Sequence, residues 1–451
     1  MTALEKRSIS GLSLIFALRM LGLFMILPVF SISASQYSGS TPLLIGLAIG
    51  AYGLTQALLQ IPFGMLSDRI GRKRVITIGL LLFAVGSIIA ALAESIEMVI
   101  IGRLFQGSGA IAAAIMALTA DLTRDEQRTK AMASIGISIG LSFSVALATG
   151  AALEHWIGLS GIFWATALMA LLGLAVLHLW VPSPHRCVSH RDIEPVPRQF
   201  IKVIANPQIM RMVLSIMVLH LLLTTSFFAL PLALQNGAGL EKSQHALAYL
   251  PILLLAFVTM VPFIILAEKK RKMKPVFLGA IAVLGLAELG WAILPTSLTG
   301  ILICLWLFFT AFNILEASLP SMMSKLSPLE NKGTAMGIYS SAQFIGAFIG
   351  GVLGGSLYGS FGLEGIFFAS SLLILIWLLL VLPMQAPRHF SSRIIHLSKH
   401  AMANTDDIIT QLNAIKGVKE TIVVPEEQVA YIKFSPEETD IADLDAFASQ
   451  H

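Results

Sequence analysis

The chain has 451 residues, of which 56% are hydrophobic and 12% are charged, and its formal net charge at pH 7 is +4. A soluble domain is about 45–50% apolar and about 25% charged, so this composition excludes an ordinary soluble protein. The apolar residues stand in long runs, which also excludes an outer-membrane barrel of short alternating strands.

Twelve apolar segments are long enough to cross a bilayer as helices, since a span needs about 20 residues. The first is too long for a signal-peptide core and lacks a small-residue cleavage site, so we expect it to remain in the protein. The sequence therefore predicts an all-α membrane protein with twelve transmembrane helices. In chain order the spans lie near 12–33, 42–66, 75–93, 97–121, 131–152, 161–181, 209–235, 246–267, 275–294, 297–323, 334–357 and 363–382.

The basic residues indicate the orientation, because Lys and Arg accumulate in cytoplasmic connections. With the N-terminus inside, Arg19 and Arg103 lie within spans and Lys242 lies in an outer connection, while the rest of the 30 Lys and Arg residues are cytoplasmic. We therefore predict that both termini are cytoplasmic. Because the basic residues flank span ends, we expect no nucleic-acid partner.

Two internal similarities indicate a duplication. QIPFGMLSDRIGRKR (60–74) aligns with MVPFIILAEKKRKMK (260–274), 200 residues further on, and TRDEQRTKAM (123–132) aligns with SPLENKGTAM (327–336), 204 residues further on. Both members of the second pair have a Ser or Thr followed three residues later by Glu, as in a helix-capping box. Two matches at nearly equal spacing predict two six-helix repeats.

A proline-rich segment of mixed charge separates the two repeats and is typical of a hinge. We expect an N-terminal six-helix bundle over 1–182, a cytosolic linker over 183–207 and a C-terminal six-helix bundle over 208–385.

The tail, 392–451, differs in composition and contains no long apolar run. Its pattern predicts a small α+β ferredoxin-like domain of order βαββα, with a β-hairpin formed by 417–424 and 428–434. We expect a strand at 393–397, a first helix over 404–414 and a second helix over 439–448. Copper-carrying relatives of this fold use paired cysteines; this tail has none, so we reject metal transfer. We expect a cytosolic domain that regulates or stabilises the rest, with its acidic surface docked on the basic face of the bundles.

The connection between spans two and three reads GMLSDRIGRKR, and span four contains IGRLFQGSGA. These segments resemble the loop signature G-x-L-a-D-r-x-G-r-k and the span-four pattern of the major facilitator superfamily. The resemblance covers about 8–385 and implies two six-helix repeats that transport by alternating access. With the added βαββα tail, the chain is similar to the YajR-type drug and proton antiporters of bacteria.

The resemblance implies that the loop between spans two and three is part of a conformational latch, which holds the two halves together on the cytosolic side in the outward-facing state. From the residues alone, Asp68 and Arg72 are four positions apart and share a helix face. A carboxylate at Asp68 would favour the positive end of a neighbouring helix, which the resemblance identifies as span eleven. The alternative is a solvated inner loop that only obeys the charge rule. The residues assigned to the latch are Gly64, Asp68, Gly71, Arg72, Lys73 and Asp121.

Polar side chains within the spans are candidates for a proton and substrate cavity, because such groups usually face a bundle interior. The resemblance places spans one, four, seven and ten around that cavity. Each candidate also has a structural alternative, such as a buried hydrogen bond or an arginine that reaches the membrane surface. We expect Glu288, in the peripheral span nine, to have no role. The candidates are Glu316, Arg19, His220, Arg103 and Asn313.

The sequence contains no P-loop for ATP hydrolysis and no HExxH zinc motif. We expect no enzyme activity, cofactor or metal. One departure from proton-coupled exporters is span five, IGISIGLSFSVALATGAAL, which lacks the proline of their Gly-Pro-x-x-Gly-Gly signature.

We predict a monomeric secondary transporter of the bacterial inner membrane whose partners are protons, a small-molecule substrate and the bilayer. It would export hydrophobic or cationic compounds in exchange for protons. Phe24, Phe227 and Phe228 would suit an apolar substrate wall, and the alternative is that they face lipid. The alternatives are a proton-coupled symporter of a small metabolite, or a transport-inactive sensor with a regulatory tail.

Overall fold

The computed structural model describes most of the chain. The described residues are 1–183, 199–294, 296–328, 332–386, 391–397, 405–424, 428–435 and 438–440, with Leu444 and Phe447.

Helices form nearly all of the part that precedes the tail. In the first half they are α1 (Ala3–Phe24), α2 (Phe30–Ser33), α3 (Pro42–Ile70), α4 (Arg72–Ala91), α5 (Ile96–Ser108), α6 (Ala112–Asp121) and α7 (Asp125–Leu179). In the second half they are α8 (Phe200–Ile204), α9 (Pro207–Leu232), α10 (His245–Glu268), α11 (Met273–Ile293), α12 (Leu298–Leu326) and α13 (Lys332–Val381).

Ten of the described helical segments are long and apolar enough to cross a membrane. Two of them, within α7 and α13, each contain a non-helical glycine, Gly158 and Gly362, both with φ of 67°. Such a backbone is open to glycine because it lacks Cβ. Each of these two helices therefore supplies two spans. The described chain thus contains the twelve predicted spans, with α5 and α6 together forming span four.

The first span differs from its predicted limits. It starts at Ala3, where Thr2 and Glu5 form a reciprocal capping box. It ends at Phe24 because Pro28 has no N–H to donate to the Phe24 carbonyl four residues earlier. The chain resumes as α2 after a short irregular stretch.

An even number of spans returns both ends of the chain to one side. We call that side the terminal face and the opposite side, with the connections after spans one, three, five, seven, nine and eleven, the far face. Near the far face, α3 of the first half packs against α13 of the second half. A Cβ built on Gly46 would lie 2.2 Å from the Gly351 carbonyl oxygen, and one on Gly355 would lie 2.2 Å from the Pro42 carbonyl oxygen. The two backbones are therefore in direct contact there.

The described tail contains β1 (Ser391–His396), α14 (Thr405–Ala414), β2 (Val418–Val424) and β3 (Val429–Phe434). The sheet has the order β1-β3-β2 with both pairings antiparallel, so the predicted hairpin and the predicted strand before it are confirmed. Ile395, Leu412 and Ile432 form its core with Leu444. The second predicted helix, 439–448, lies mostly outside the described residues.

Among the described residues, Lys433 of β3 joins this tail to the helices. Lys433 Nζ donates to the carbonyl oxygens of Lys325 (3.3 Å) and Ser327 (3.2 Å), at the terminal-face end of α12. A cation at the C-terminal end of a helix is favourable because unpaired carbonyls gather there. At this contact a basic side chain of the tail supplies the hydrogen bonds.

Candidate transport site

Three helices of the second half bring polar side chains together inside the membrane-spanning region. His220 lies on α9, Glu316 on α12 and Gln343 on α13. His220 Nε2 is 3.8 Å from Glu316 Oε2 and 2.7 Å from Gln343 Nε2. We call these three residues the polar cluster. Two of its members are predicted site residues, and the structure places them side by side.

The hydrogen bonds of His220 define the state of its ring. His220 Nδ1 lies 3.3 Å from the Ile216 carbonyl oxygen, which can only accept. The amide nitrogen of Gln343 can only donate, so His220 Nε2 accepts from it. With the amide in this orientation, a neutral ring that carries its proton on Nδ1 satisfies both contacts. Among the described residues, Glu316 Oε2 has no hydrogen-bond partner, so it is free to receive one.

Glu316 is the open member of the polar cluster. Its side chain is 39% exposed, whereas that of His220 is 12% exposed. Glu316 stands ten residues before the end of α12, which is about 15 Å along the helix axis. A carboxyl group at that depth that keeps this exposure beside His220 of another helix borders open space between the helices, which we call the cavity.

Two further polar groups border the cluster. Asn313 is a predicted site residue, and its Nδ2 is buried without a hydrogen-bond partner among the described residues. The hydroxyl of Tyr339 on α13 is likewise buried without such a partner. Tyr339 interacts electrostatically with Glu316. Buried donors that lack partners are uncommon in folded proteins and mark sites where a ligand or water can bond.

An aromatic layer closes the cavity toward the far face. Phe143 of α7 is central to it: its ring centroid lies 4.8 Å from that of Phe24, 6.0 Å from that of Phe309 and 6.2 Å from that of Phe312. Phe24 and Phe143 belong to the first half and the other two to the second, so the layer bridges the halves. Phe312 also packs edge-on against His220, at 6.0 Å.

Two residues suggested as an apolar wall are packed away from open space. Phe227 is 1% exposed and joins the aromatic layer, at 6.5 Å from Phe143. Phe228 is also 1% exposed, and it packs on Tyr358 at 5.7 Å. Phe24 is partly exposed. In this conformation Phe24 is the one of the three that can face a substrate.

Arg19 lies in a separate network within the first half. It is 1% exposed, and its Nη2 lies 2.9 Å from the Tyr52 hydroxyl, 2.6 Å from Gln56 Oε1 and 2.8 Å from the Gly109 carbonyl oxygen. The suggested pairing of Arg19 with Glu316 is therefore not formed in this conformation. Arg19 is also too buried to reach the membrane surface.

Arg103 holds spans two and four together. Its Nη1 donates to Gln106 Oε1 at 2.8 Å, and its Nε and Nη2 lie 3.3 and 3.4 Å from the carbonyl oxygens of Ala48 and Ile49. Its guanidinium also stacks 5.4 Å from the Tyr52 ring centroid. These contacts lie within the first half and do not reach the polar cluster, so they match the structural alternative for Arg103.

The predicted latch residues lie together at the terminal face of the first half. Arg72 Nη1 donates to Asp68 and, at 2.8 Å, to Ser67 Oγ. Arg72 Nε lies 3.3 Å from Asp121 Oδ2, where both side chains are almost fully buried. The Asp68 side chain is 33% exposed. Span two is thereby tied to the end of span four through one guanidinium.

The other latch residues shape the connection. Gly71 has φ of 100° and no atom within 4 Å of a built Cβ, so the backbone turn alone requires glycine there. A Cβ on Gly64 would lie 3.2 Å from the Ala113 Cβ, which keeps span two close to span four. Lys73 Nζ donates to the Val181 carbonyl oxygen at 2.5 Å, at the end of span six.

Glu288 of span nine is fully buried, with 0% exposure. It shares a 2.5 Å hydrogen bond with Ser226 Oγ of span seven. The same hydroxyl lies 2.6 Å from the Leu222 carbonyl oxygen. With no access to the cavity, Glu288 joins two helices, which agrees with the expectation that it lies outside the site.

Comparison with known proteins decides the family. The family model described as Major Facilitator Superfamily matches residues 12–318 and 274–399. The chain belongs to the major facilitator superfamily. One relative matches almost the whole chain. This chain is 45% identical to the inner membrane transport protein YajR of Escherichia coli, and the match covers 97% of this chain and 96% of the relative. It is also 35% identical to an uncharacterized transporter of Buchnera aphidicola, over 77% of this chain and 89% of the relative.

Solved structures of the superfamily have the same fold. A bacterial homologue of the human lysosomal transporter Spinster, inward-facing and occupied, covers 85% of this chain and 97% of its own, with a TM-score of 0.69 at 17% identity. The human organic anion transporter MFSD10 covers 84% of this chain and 100% of its own, with a TM-score of 0.61 at 19% identity. The family match and the match to the inner membrane transport protein YajR indicate that this chain is a membrane transporter and not an enzyme.

The sequence analysis missed Gln343, Tyr339 and Phe143. Gln343 is an amide within a glycine-rich apolar span, and buried amides of that kind are themselves a signal. Phe143 carries no such signal, because one phenylalanine among many apolar residues cannot be assigned to a lipid or cavity face from spacing alone.

Proposed function

We propose that this superfamily member is a proton-coupled secondary transporter of the inner membrane that exports hydrophobic or cationic small molecules. The observation that carries the proposal is the polar cluster: a deep carboxyl group, open to a cavity, beside a histidine whose second nitrogen is held by an amide. This arrangement can hold one proton and exchange it for a cation.

The closed far face supports a cavity that opens at the terminal face. The aromatic layer and the backbone contact between α3 and α13 both lie between Glu316 and the far face. With cytoplasmic termini, as the basic residues suggest, Glu316 is then reached from the cytoplasm. A substrate of the cytoplasm can enter in this conformation.

Competition at Glu316 supplies the coupling. A protonated Glu316 is neutral and leaves the cavity without a carboxylate. When the proton leaves to cytoplasmic water, the carboxylate attracts a cationic substrate, and the rings of Phe312 and Phe24 supply apolar contact beside it. After the halves rock and the cavity faces outward, a proton from that side displaces the cation and returns the carrier in its neutral form.

His220 can assist the proton step. When its Nε2 takes a proton, the Gln343 amide nitrogen can no longer donate to that atom, and the nearest carboxylate oxygen, Glu316 Oε2, lies 3.8 Å away. The proton can therefore pass between the two residues with a small shift. Asp68, Arg72 and Asp121 would in turn control how readily the halves rock, as the latch proposal states.

The tail is proposed to act through α12, because Lys433 caps the helix that carries Glu316. Its effect would be regulatory or stabilising and not part of the proton exchange.

The experiment is flux in proteoliposomes with an imposed pH gradient and tetraphenylphosphonium as a hydrophobic cation. Exchange predicts cation movement opposite to the proton, lost in Glu316→Gln. Movement of a substrate along with the proton contradicts antiport and favours the symporter. No proton-dependent movement across a broad compound panel contradicts transport and favours the sensor.

A further inference from the structure

Three side chains meet at the far face, outside the polar cluster and the latch. Ser33 belongs to α2, Glu154 lies on α7 just before its bend, and Lys242 stands in the connection before α10. Ser33 Oγ donates to Glu154 Oε1 at 2.5 Å. Lys242 Nζ donates to Ser33 Oγ at 3.0 Å and lies 3.8 Å from Glu154 Oε1.

The halves contribute unequally to this contact. Ser33 and Glu154 both belong to the first half, and they remain bonded to each other however the halves move. Lys242 belongs to the second half. Its two contacts therefore cross between the halves, and they must break when the far face opens. Ser33 and Glu154 thus form a hydrogen-bonded pair, which we call the receptor pair, that does not depend on the contact with Lys242.

Because the Glu154 carboxylate is largely buried, the receptor pair favours contact with a cation. Ser33 is 5% exposed and the Glu154 side chain is 12% exposed, while Lys242 keeps 37% of its side chain exposed. A largely buried carboxylate needs a compensating charge or hydrogen bonds, and Ser33 supplies one bond. Lys242 supplies the charge only in the closed arrangement.

Charge distribution gives Lys242 a second distinction. It is the one Lys or Arg that the sequence places in a far-face connection. Basic residues are disfavoured on the outer side of bacterial membrane proteins, so the positive-inside rule does not explain it. A specific contact with Glu154 does.

We propose that Lys242, seated on Glu154 and Ser33, is a gate contact that holds the far face closed, and that its release is a required step of opening. The gate lies beside the same closed face as the contact between α3 and α13, where the backbones leave no room for a side chain. The backbone packing of α3 on α13 allows the far face to close tightly, and the Lys242–Glu154 ion pair stabilises the closed state relative to the open one.

Spin-label distances measure the gate directly. Cysteines at Ser35 and Glu364, both exposed at the far face on opposite halves, are introduced after Cys187 and Cys304 are replaced by alanine. Pulsed electron paramagnetic resonance in lipid nanodiscs, without substrate or pH gradient, gives the fraction of molecules in which the two spin labels are far apart. We expect Lys242→Gln and Glu154→Gln each to raise that fraction about fivefold or more.

Matched variants separate the gate from a general loss of structure. Lys242→Arg keeps the charge, and Glu241→Gln removes a neighbouring charge that bonds within its own half; both should leave the distances unchanged. The double variant Lys242→Gln with Glu154→Gln should add nothing to either single change. The exchanged pair, Lys242→Glu with Glu154→Lys, should restore the closed distances.

Unchanged distances in both single variants, or additive effects in the double variant, overturn the gate. Since this measurement uses neither substrate nor protons, a failure of the proposed proton exchange would leave its outcome intact, and the reverse also holds.

Discussion

Gln343 Nε2 lies 2.7 Å from His220 Nε2, so the Gln343 amide on span eleven hydrogen-bonds to the same ring nitrogen that faces Glu316. His220 and Gln343 both belong to the second half, so this contact moves with that half in the proposed alternating access. Because span eleven also packs against span two, we propose that the protonation of His220 affects the packing between the two halves.

Glu316→Gln tests the proton site. The amide keeps the shape of the side chain but cannot lose a proton, so we expect pH-dependent flux to fall at least about tenfold while the purified protein stays monodisperse. Flux against external pH in proteoliposomes is the measurement. Glu364→Gln, which neutralises an exposed acid at the far face, is the control and should behave as the parent. Unchanged pH dependence in Glu316→Gln would remove this residue from the mechanism.

Gln343→Leu tests the amide. The neutral His220 ring loses the donor to Nε2, and a buried hydrogen bond left unmade is worth about 1–3 kcal/mol. We expect the pH profile of transport to move to higher pH by about one unit, since one unit corresponds to about 1.4 kcal/mol. Gln343→Asn shortens the amide and should give a smaller displacement. A profile that coincides with the parent in both variants would contradict a role for this residue.

Asp68→Asn tests the latch. Charged hydrogen bonds contribute about 1.5–3 kcal/mol, and solvent reduces this at a side chain that is one-third exposed. We expect turnover to fall about fivefold with little change in substrate affinity, because the pair acts on the rocking step. Arg69→Gln is the control, since Arg69 is exposed beside it. Normal turnover in Asp68→Asn would leave these charges with the single role of marking the cytoplasmic side.

Gly46→Leu tests closure of the far face. The new side chain would begin 2.2 Å from the Gly351 carbonyl oxygen, and forced overpacking costs about 1–3 kcal/mol. We expect turnover to drop about tenfold, with the far-face label distance shifted toward the open value. Gly279→Leu introduces the same side chain where nothing lies within 4 Å and should transport normally. Equal behaviour of the two variants would argue against the tight contact.

Lys433→Ala tests the docking of the tail. Without the two hydrogen bonds at the end of α12, we expect faster hydrogen exchange in residues 321–328 of the full-length protein, while β2 and β3 remain protected. Lys419→Ala is the matched control, because Lys419 pairs with Glu438 inside the tail. Identical exchange in all three proteins would mean that Lys433 does not hold the tail in place.

The spans and the hairpin could be predicted because each follows from local pattern. An apolar run of fixed length has few alternatives in a bilayer, and alternation on the two arms around 425–427 fixes β2 against β3. The glycine at position 71 could likewise be assigned from its spacing in the loop.

The site was predicted less completely, because it depends on which way each helix faces. Glu316 and His220 stood out as rare polar groups in apolar spans. The partners of Arg19 did not, since Tyr52 and Gln56 lie on a different helix whose rotation the sequence leaves open. The gate was missed for the same reason: Ser33 and Lys242 are 209 positions apart and meet only in the folded chain.

Gly158 and Gly362 stand 204 positions apart, which equals the spacing of the duplicated segments before spans five and eleven. Each glycine bends a continuous helix with the same φ of 67°, so the two repeats keep the same bend at equivalent positions. The segments that begin at these glycines, GLSGIF (158–163) and GLEGIF (362–367), differ at one position of six. The molecule therefore carries its own internal replicate: a substitution at Gly158 can be repeated at Gly362, and any difference in outcome measures how far the two halves have diverged in mechanical role.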